Sequence, residues 1–193
     1  MPKSGGNMPK SGGNMPKSGG NMPKMPNMPK TPAGNAGGST GPHQLDTAGV
    51  NLIKGFESWK ACYYKDPVGY PTIGYGHLIT SSDSYKPGSC LTQQQGLHCV
   101  LTSAGDQLLA SDASRFVTCV NGMGVNLNQH QFDALVSFTF NLGCGVLTNF
   151  KPMLQQGNYA GICPRMKLYN KAGGKVLPGL VTRRQKECDV FNS

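Results

Sequence analysis

The sequence predicts an α+β domain, mostly helical, preceded by an arm that buries nothing, and three observations carry that expectation. Composition turns globular only at His43. One short stretch, Cys62–His77, has the alternation and turn residues of a β-hairpin. Everything after it that is apolar recurs at helical spacing.

The arm comes first. MPKSGGN occurs three times from Met1 to Asn21 and decays through further Met-Pro pairs to Lys30. A proline in every repeat excludes a continuous helix, and Gly, Ser, Pro and Asn prevail as far as Pro42. Residues 1–42 are therefore expected to be a disordered cationic segment, acting either as a linker or as an adhesive arm. Its methionines alternate with lysines and prolines and are not read as metal ligands. Residues 43–193 form the folded domain.

Asp46 is a helix cap, and Val50, Ile53, Lys54 and Phe56-Glu57 follow at helical spacing. Cys62–Asp66 and Thr72–His77 flank Pro67–Pro71, a tight turn. Ser81–Val100 is polar and loop-like. Leu101–Val120, Leu127–Leu142 and Asn149–Leu168 read as helices, with a last one near Leu180–Phe191; Thr102, Asn128 and Thr182 are candidate caps. One hairpin followed by several helices gives the fold class.

Of the net charge of +9, the five lysines of the arm supply +5 and the remainder +4. That balance favours polyanionic partners, which include cell walls, anionic lipids and nucleic acid. No apolar run is long enough to span a bilayer, and the first residues lack the apolar core of a secretory leader. Seven cysteines without a CxxC pair argue for two or three disulfides in an oxidising compartment rather than for zinc, with at least one thiol over.

The chemistry rests on two carboxylates, Glu57 after the first helix and Asp66 on the hairpin. Glycoside hydrolysis needs one carboxyl held protonated for the leaving oxygen and a second carboxylate across the cleft. Phe56 and Trp59 adjoin Glu57 and could supply the apolar surroundings that keep a proton on it. Thr72 lies across the hairpin from Asp66, where a hydroxyl could hold water. Taken alone, a Glu and an Asp nine positions apart are better read as two solvated acids.

The surrounding residues lift that reading. Gly55-Phe56-Glu57, Tyr64-Lys65-Asp66 and Thr72-Ile73-Gly74-Tyr75-Gly76-His77 resemble the phage-type lysozymes, a family of glycoside hydrolases. The family's Glu-x8-Asp-x5-Thr triad falls on Glu57, Asp66 and Thr72 with both spacings kept. Gln131–Phe138 and Phe140–Gly143 resemble its central helix, and Asn170–Arg184 its C-terminal signature. The resemblance covers roughly Leu45 to Phe191 and implies a lysozyme-like domain. The cysteines give it the look of the family's eukaryotic, especially fungal, secreted members. The long Ser81–Val100 segment and Cys163-Pro164 depart from the pattern; a proline there fits only the first turn of a helix.

The resemblance implies a muramidase that cleaves the β-1,4 bond between N-acetylmuramic acid and N-acetylglucosamine in bacterial peptidoglycan, with inversion. Glu57 would be the general acid, and Asp66, helped by Thr72, would activate water. No metal or cofactor is required. Leu78, Phe140 and Asn141 fall where the family lines its sugar-binding cleft. His77 falls on a structural histidine that pairs with an aspartate of the following helix, for which Asp112 is the candidate. Arg183 and Arg184 either bind peptidoglycan carboxylates or pack the last helix; Tyr63, Tyr64 and Tyr75 are read as hairpin packing. A chitinase-like hydrolase and a non-catalytic cationic wall-binding protein are the rival functions. The expected setting is extracellular, as a secreted monomer, with peptidoglycan as partner, anionic wall polymers possible through the arm, and no specific nucleic acid.

For the cysteines, the fungal-looking relatives imply a bridge between Cys119 and Cys144. Cys163 and Cys188 sit in the two C-terminal helical stretches and are expected to tie them together. Cys90 and Cys99 share the long loop and are expected to bridge locally, leaving Cys62 as a thiol. A Cys62–Cys90 or Cys62–Cys99 pairing would instead pin that loop to the hairpin.

Overall fold

The structure, a computed structural model, describes residues 42–67, 69–91 and 104–193. The arm up to residue 41, Cys99 and the candidate cap Thr102 lie outside the described residues.

Local chemistry sets the first helix. Asp46 is extended and its carboxylate accepts from the Gly49 amide at 2.9 Å, which starts α1 (Thr47–Lys54). Gly49 must lack a side chain, because a Cβ there would come within 2.7 Å of the Asp133 carboxyl. Beyond α1 the chain enters a three-stranded antiparallel sheet in the order β1 (Lys60–Lys65), β2 (Pro71–Gly74), β3 (His77–Leu78). The turn between β1 and β2 closes by Asp66, whose backbone and side chain both take up Tyr70.

The elements that follow are arranged around one central helix. α2 (Ala104–Asn121) and α3 (Gln129–Leu142) are followed by a 3-10 helix (Cys144–Asn149), α4 (Lys151–Gln155), a second 3-10 turn (Tyr159–Gly161) and α5 (Ile162–Met166). A small hairpin, β4 (Lys171–Ala172) and β5 (Lys175–Val176), leads into α6 (Pro178–Phe191). Asn128 caps α3 with a complete capping box through Gln131. Every residue of α3 from Phe132 to Thr139 is buried, because α1, α2 and α6 pack around it. Phe132, Leu135, Phe138, Leu109, Phe116, Ile53 and Phe150 form the centre of the core. α2 closes on the sheet where Trp59 lies so near Gly105 that a Cβ there would stand 2.4 Å from the indole.

Several expectations are corrected. Asn149–Leu168 is not one helix: the chain breaks at Gly157, which has φ 68°, and Pro164 sits in the first turn of the separate α5. Thr182 does not cap α6. That helix starts at Pro178, whose fixed φ suits a first turn, and Thr182 lies inside it with its hydroxyl donating to the Pro178 carbonyl.

Of the expected cysteine pairings, one is present and the others are corrected. Cys119 and Cys144 are joined, tying the end of α2 to the start of the 3-10 helix after α3. Cys90 is bonded to Cys62, not to Cys99, so Cys62 is no free thiol. The cause is backbone pairing: Tyr63 donates to the Ser89 carbonyl and Leu91 to the Ala61 carbonyl, which lays residues 89–91 antiparallel along β1. Cys163 and Cys188 are buried thiols rather than a bridge. Each sulfur lies 3.6 Å from the other residue's carbonyl oxygen, to which its S–H is directed.

Candidate active site

Glu57 sits one tight turn past α1. The amides of Phe56 and Glu57 still donate to Ile53 and Lys54, so its backbone is fixed by the helix end. Its side chain is 12% exposed, and Oε1 accepts from Arg183 Nη1 at 3.1 Å. The guanidinium of Arg183 also lies 4.7 Å from the centre of the Phe56 ring, as a cation over an aromatic face.

Arg183, Arg184 and Glu187 occupy the buried face of α6 and are essentially inaccessible. Arg183 gives Nε to Glu187 Oε1 at 3.1 Å and Nη2 to the Ser137 carbonyl at 3.2 Å. Arg184 contacts both Glu187 oxygens and gives Nη2 to Asn141 Oδ1 at 2.9 Å. Ser137 donates its hydroxyl to Glu187 at 2.8 Å. Burial pushes the Glu187 carboxyl up and the Arg184 guanidinium down to about 10. Two guanidiniums within contact oppose that rise and favour the carboxylate. Arg183 and Arg184 are both buried, with the protein partners just named.

On the hairpin, Asp66 and Thr72 are joined through the backbone of one residue. Asp66 Oδ1 accepts the Tyr70 amide at 2.8 Å, and the Thr72 hydroxyl donates to the Tyr70 carbonyl at 3.0 Å. Asp66 is half-buried and Thr72 buried. Tyr64, Thr72 and Leu78 are direct cross-strand partners and therefore form one row across the three strands. The Tyr64 phenol is pushed up by burial, then by the charges of Asp66 and Glu57, so its hydroxyl stands in the field of both carboxylates. The ammonium of Lys60 lies 4.2 Å from its ring centre.

Leu78 is half exposed at the end of that row. Phe140 is half-buried and packs edge-on against Phe116 at 5.3 Å, while Asn141 is held by Arg184. His77 is turned away from the carboxylates: Nδ1 meets Asp112 Oδ1 at 2.8 Å and Nε2 lies 3.3 Å from Asp83, which ties β3 to α2 and to the loop beyond. Among the described residues no group of three or more His, Cys, Asp or Glu could hold a metal.

Sequence reasoning passed over Tyr64 as packing and missed Glu187, Ser137 and Asp83. Only Glu187 carried a readable signal, at helical spacing from Arg183 and Arg184. The arrangement offers one carboxyl in an enclosed setting, a second carboxylate beside a hydroxyl, and an exposed apolar residue next to them. Those are the parts of acid-assisted hydrolysis.

Known proteins share this chain's sequence and fold. The family model described as phage lysozyme matches residues 54–187. The endolysin of Bacillus phage PZA is 37% identical over 155 residues, covering 78% of this chain and 55% of that protein. The chain thus spans about half the length of the curated Bacillus phage relatives it matches. Among solved structures, an endolysin from Escherichia coli O157:H7 phage FAHEc1 superimposes with a TM-score of 0.65 at 34% identity, over 78% of this chain and 94% of that one. The muramidase domain of SpmX from Asticaccaulis excentricus also gives 0.65, at 31% identity, over 78% and 99%.

Proposed function

The chain belongs to the phage lysozyme family, and we propose that it is a muramidase that hydrolyses the β-1,4 bond between N-acetylmuramic acid and N-acetylglucosamine in bacterial peptidoglycan. The observation that carries the proposal is the pairing of an enclosed Glu57 with an Asp66–Tyr70–Thr72 unit on the hairpin, the charges of both carboxylates acting on the same Tyr64 phenol. Glu57 gives its proton to the leaving glycosidic oxygen. The Thr72 hydroxyl spends its hydrogen on Tyr70 and so meets water as an acceptor. A water donating one hydrogen to Thr72 and the other to Asp66 presents its lone pair to the anomeric carbon, and Asp66 takes the proton as the bond forms. Attack from the side opposite the leaving group inverts that centre. Leu78, Phe140 and Asn141 line the sugar cleft, and no metal or cofactor takes part in these steps.

The extracellular setting is part of the proposal and is supported by two disulfides among the described residues. Anionic wall polymers are the proposed partners of the lysine-rich arm. Digestion of purified peptidoglycan tests the reading. Soluble muropeptides with new reducing ends should appear, and Glu57→Gln should abolish them by about three orders of magnitude or more while wall binding persists. Release from chitin but not from peptidoglycan, or lysis by Glu57→Gln at wild-type rate, overturns it.

A further inference from the structure

Resting on the muramidase reading, we propose that Glu187 is a positioning residue for the catalytic acid: acting through Arg183, it sets how firmly Glu57 keeps its proton.

The arrangement poses a conflict that Glu187 resolves. A general acid must carry its proton at working pH. A guanidinium 3.1 Å away favours the carboxylate instead. In this enclosed setting, where Glu57 is 12% exposed and Arg183 2%, that attraction is weakly screened. Glu187, fully buried, shares the same guanidinium through Nε at 3.1 Å and cancels much of its field at Glu57. The Ser137 hydroxyl and carbonyl hold Glu187 and Arg183 Nη2 in place, with Nη1 aimed at Glu57.

Charge bookkeeping gives the direction of each change. The cluster of Arg183, Arg184, Glu187 and Glu57 is neutral with Glu57 ionised and carries one positive charge with Glu57 protonated. Removing the charge of Glu187 raises both states by one, and ionised Glu57 becomes favoured. Removing the charge of Arg184 lowers both by one, and protonated Glu57 becomes favoured. Among the described residues, other ionisable groups near the cluster include Tyr64, itself in the field of Asp66, Lys186 over the Phe56 ring, and Cys188 beside Glu187. Both substitutions leave all four in place.

The chain has two glutamates, Glu57 and Glu187, so selective carbon-13 labelling of glutamate side chains yields two carboxyl signals. Their titration is followed by NMR in the wild type, Glu187→Gln and Arg184→Gln, beside the pH dependence of reducing-end release. Glu187→Gln should move the Glu57 midpoint down by about half a pH unit or more. The alkaline limb of the rate should follow it, with kcat falling about tenfold near neutrality and KM little changed. Arg184→Gln should move the midpoint up. A purely structural role for Glu187 would lower the melting temperature of both variants without opposite shifts. Folded variants whose midpoints stay at the wild-type value, or move the same way, overturn the proposal. If Glu187→Gln does not fold, the upward shift in Arg184→Gln supports it and its absence overturns it. A wild type that releases no reducing ends refutes the muramidase reading, while the titration still decides the coupling.

Discussion

Thr72 is the residue at which hydrogen-bond direction decides a role. Its hydroxyl donates to Tyr70 and so is left as an acceptor for the water of the proposed reaction. Thr72→Ser keeps that acceptor and should retain most activity. Thr72→Val fills the same buried site without it, and kcat should fall by about two orders of magnitude with KM nearly constant. Equal losses in both variants would show that the methyl group, not the hydroxyl, matters. A second residue acts on stability instead. Asp133, on α3, is buried beside Asp46 and accepts from Gln129 at 2.9 Å. Burial above all, and the Asp46 carboxylate after it, push its carboxyl up from 3.8 to about 7. Below 3.8 the folded and unfolded chains both hold this proton and its contribution is fully present. Between 3.8 and about 7 the native state keeps a proton that the unfolded chain has lost, so stability falls as pH rises and the loss is complete above about 7. Asp133→Asn should flatten that slope and raise the melting temperature at pH 8. An unchanged slope in thermal melts would show that Asp133 ionises normally.

The elements differ in what holds them. α3 is capped locally and buried along its length, whereas the short helices from Lys151 to Met166 are separated by Gly157 and restarted at prolines or turns. The Cys119–Cys144 bridge spans 25 positions and joins α2 to the segment leaving α3. Replacing both cysteines by alanine should cost about 3 kcal/mol in the chain-entropy account, read from denaturant melts. A change below about 1 kcal/mol would mean that the unfolded chain is already restrained there. The Cys62–Cys90 bridge has a similar span, but it also fixes residues 89–91 along β1, the strand that carries Tyr64 and leads to Asp66. Its loss therefore bears on the site as well as on the stability.

At the scale of the molecule, charge is distributed unevenly. The first 42 residues hold five lysines and no acid, and residues 134–186 also lack Asp and Glu. Removing residues 1–42 should weaken adsorption to whole walls at low ionic strength. Both forms should converge as salt rises toward about 1 M, where the screening length is a few ångströms. Turnover of small soluble glycan fragments should be unchanged. Equal adsorption of the two forms at low salt, measured by sedimentation with walls, would remove the arm from the account.

What the sequence determined by itself is what near neighbours decide. Asp46 and Asn128 cap their helices through amides three residues on, and the Asp66–Tyr70 turn closes within five residues; such contacts form wherever the chain goes. The spacing of Glu57, Asp66 and Thr72, proposed as the catalytic group, was legible through the resemblance to a known family and not from the two acids alone, although all three lie within sixteen residues along one helix end and one hairpin. Tertiary structure decided the rest. Arg183 reaches Glu57 across 126 positions, and Ser137 reaches Glu187 across 50. Cys62 met Cys90 because residues 89–91 found the edge of β1, a pairing that no local preference announces. Cys163 and Cys188 were brought together by the packing of α5 on α6 and remained thiols directed at each other's carbonyls. A buried charge is tolerable only where partners from other elements neutralise it, so which arginine meets which glutamate is settled when the helices pack and not before.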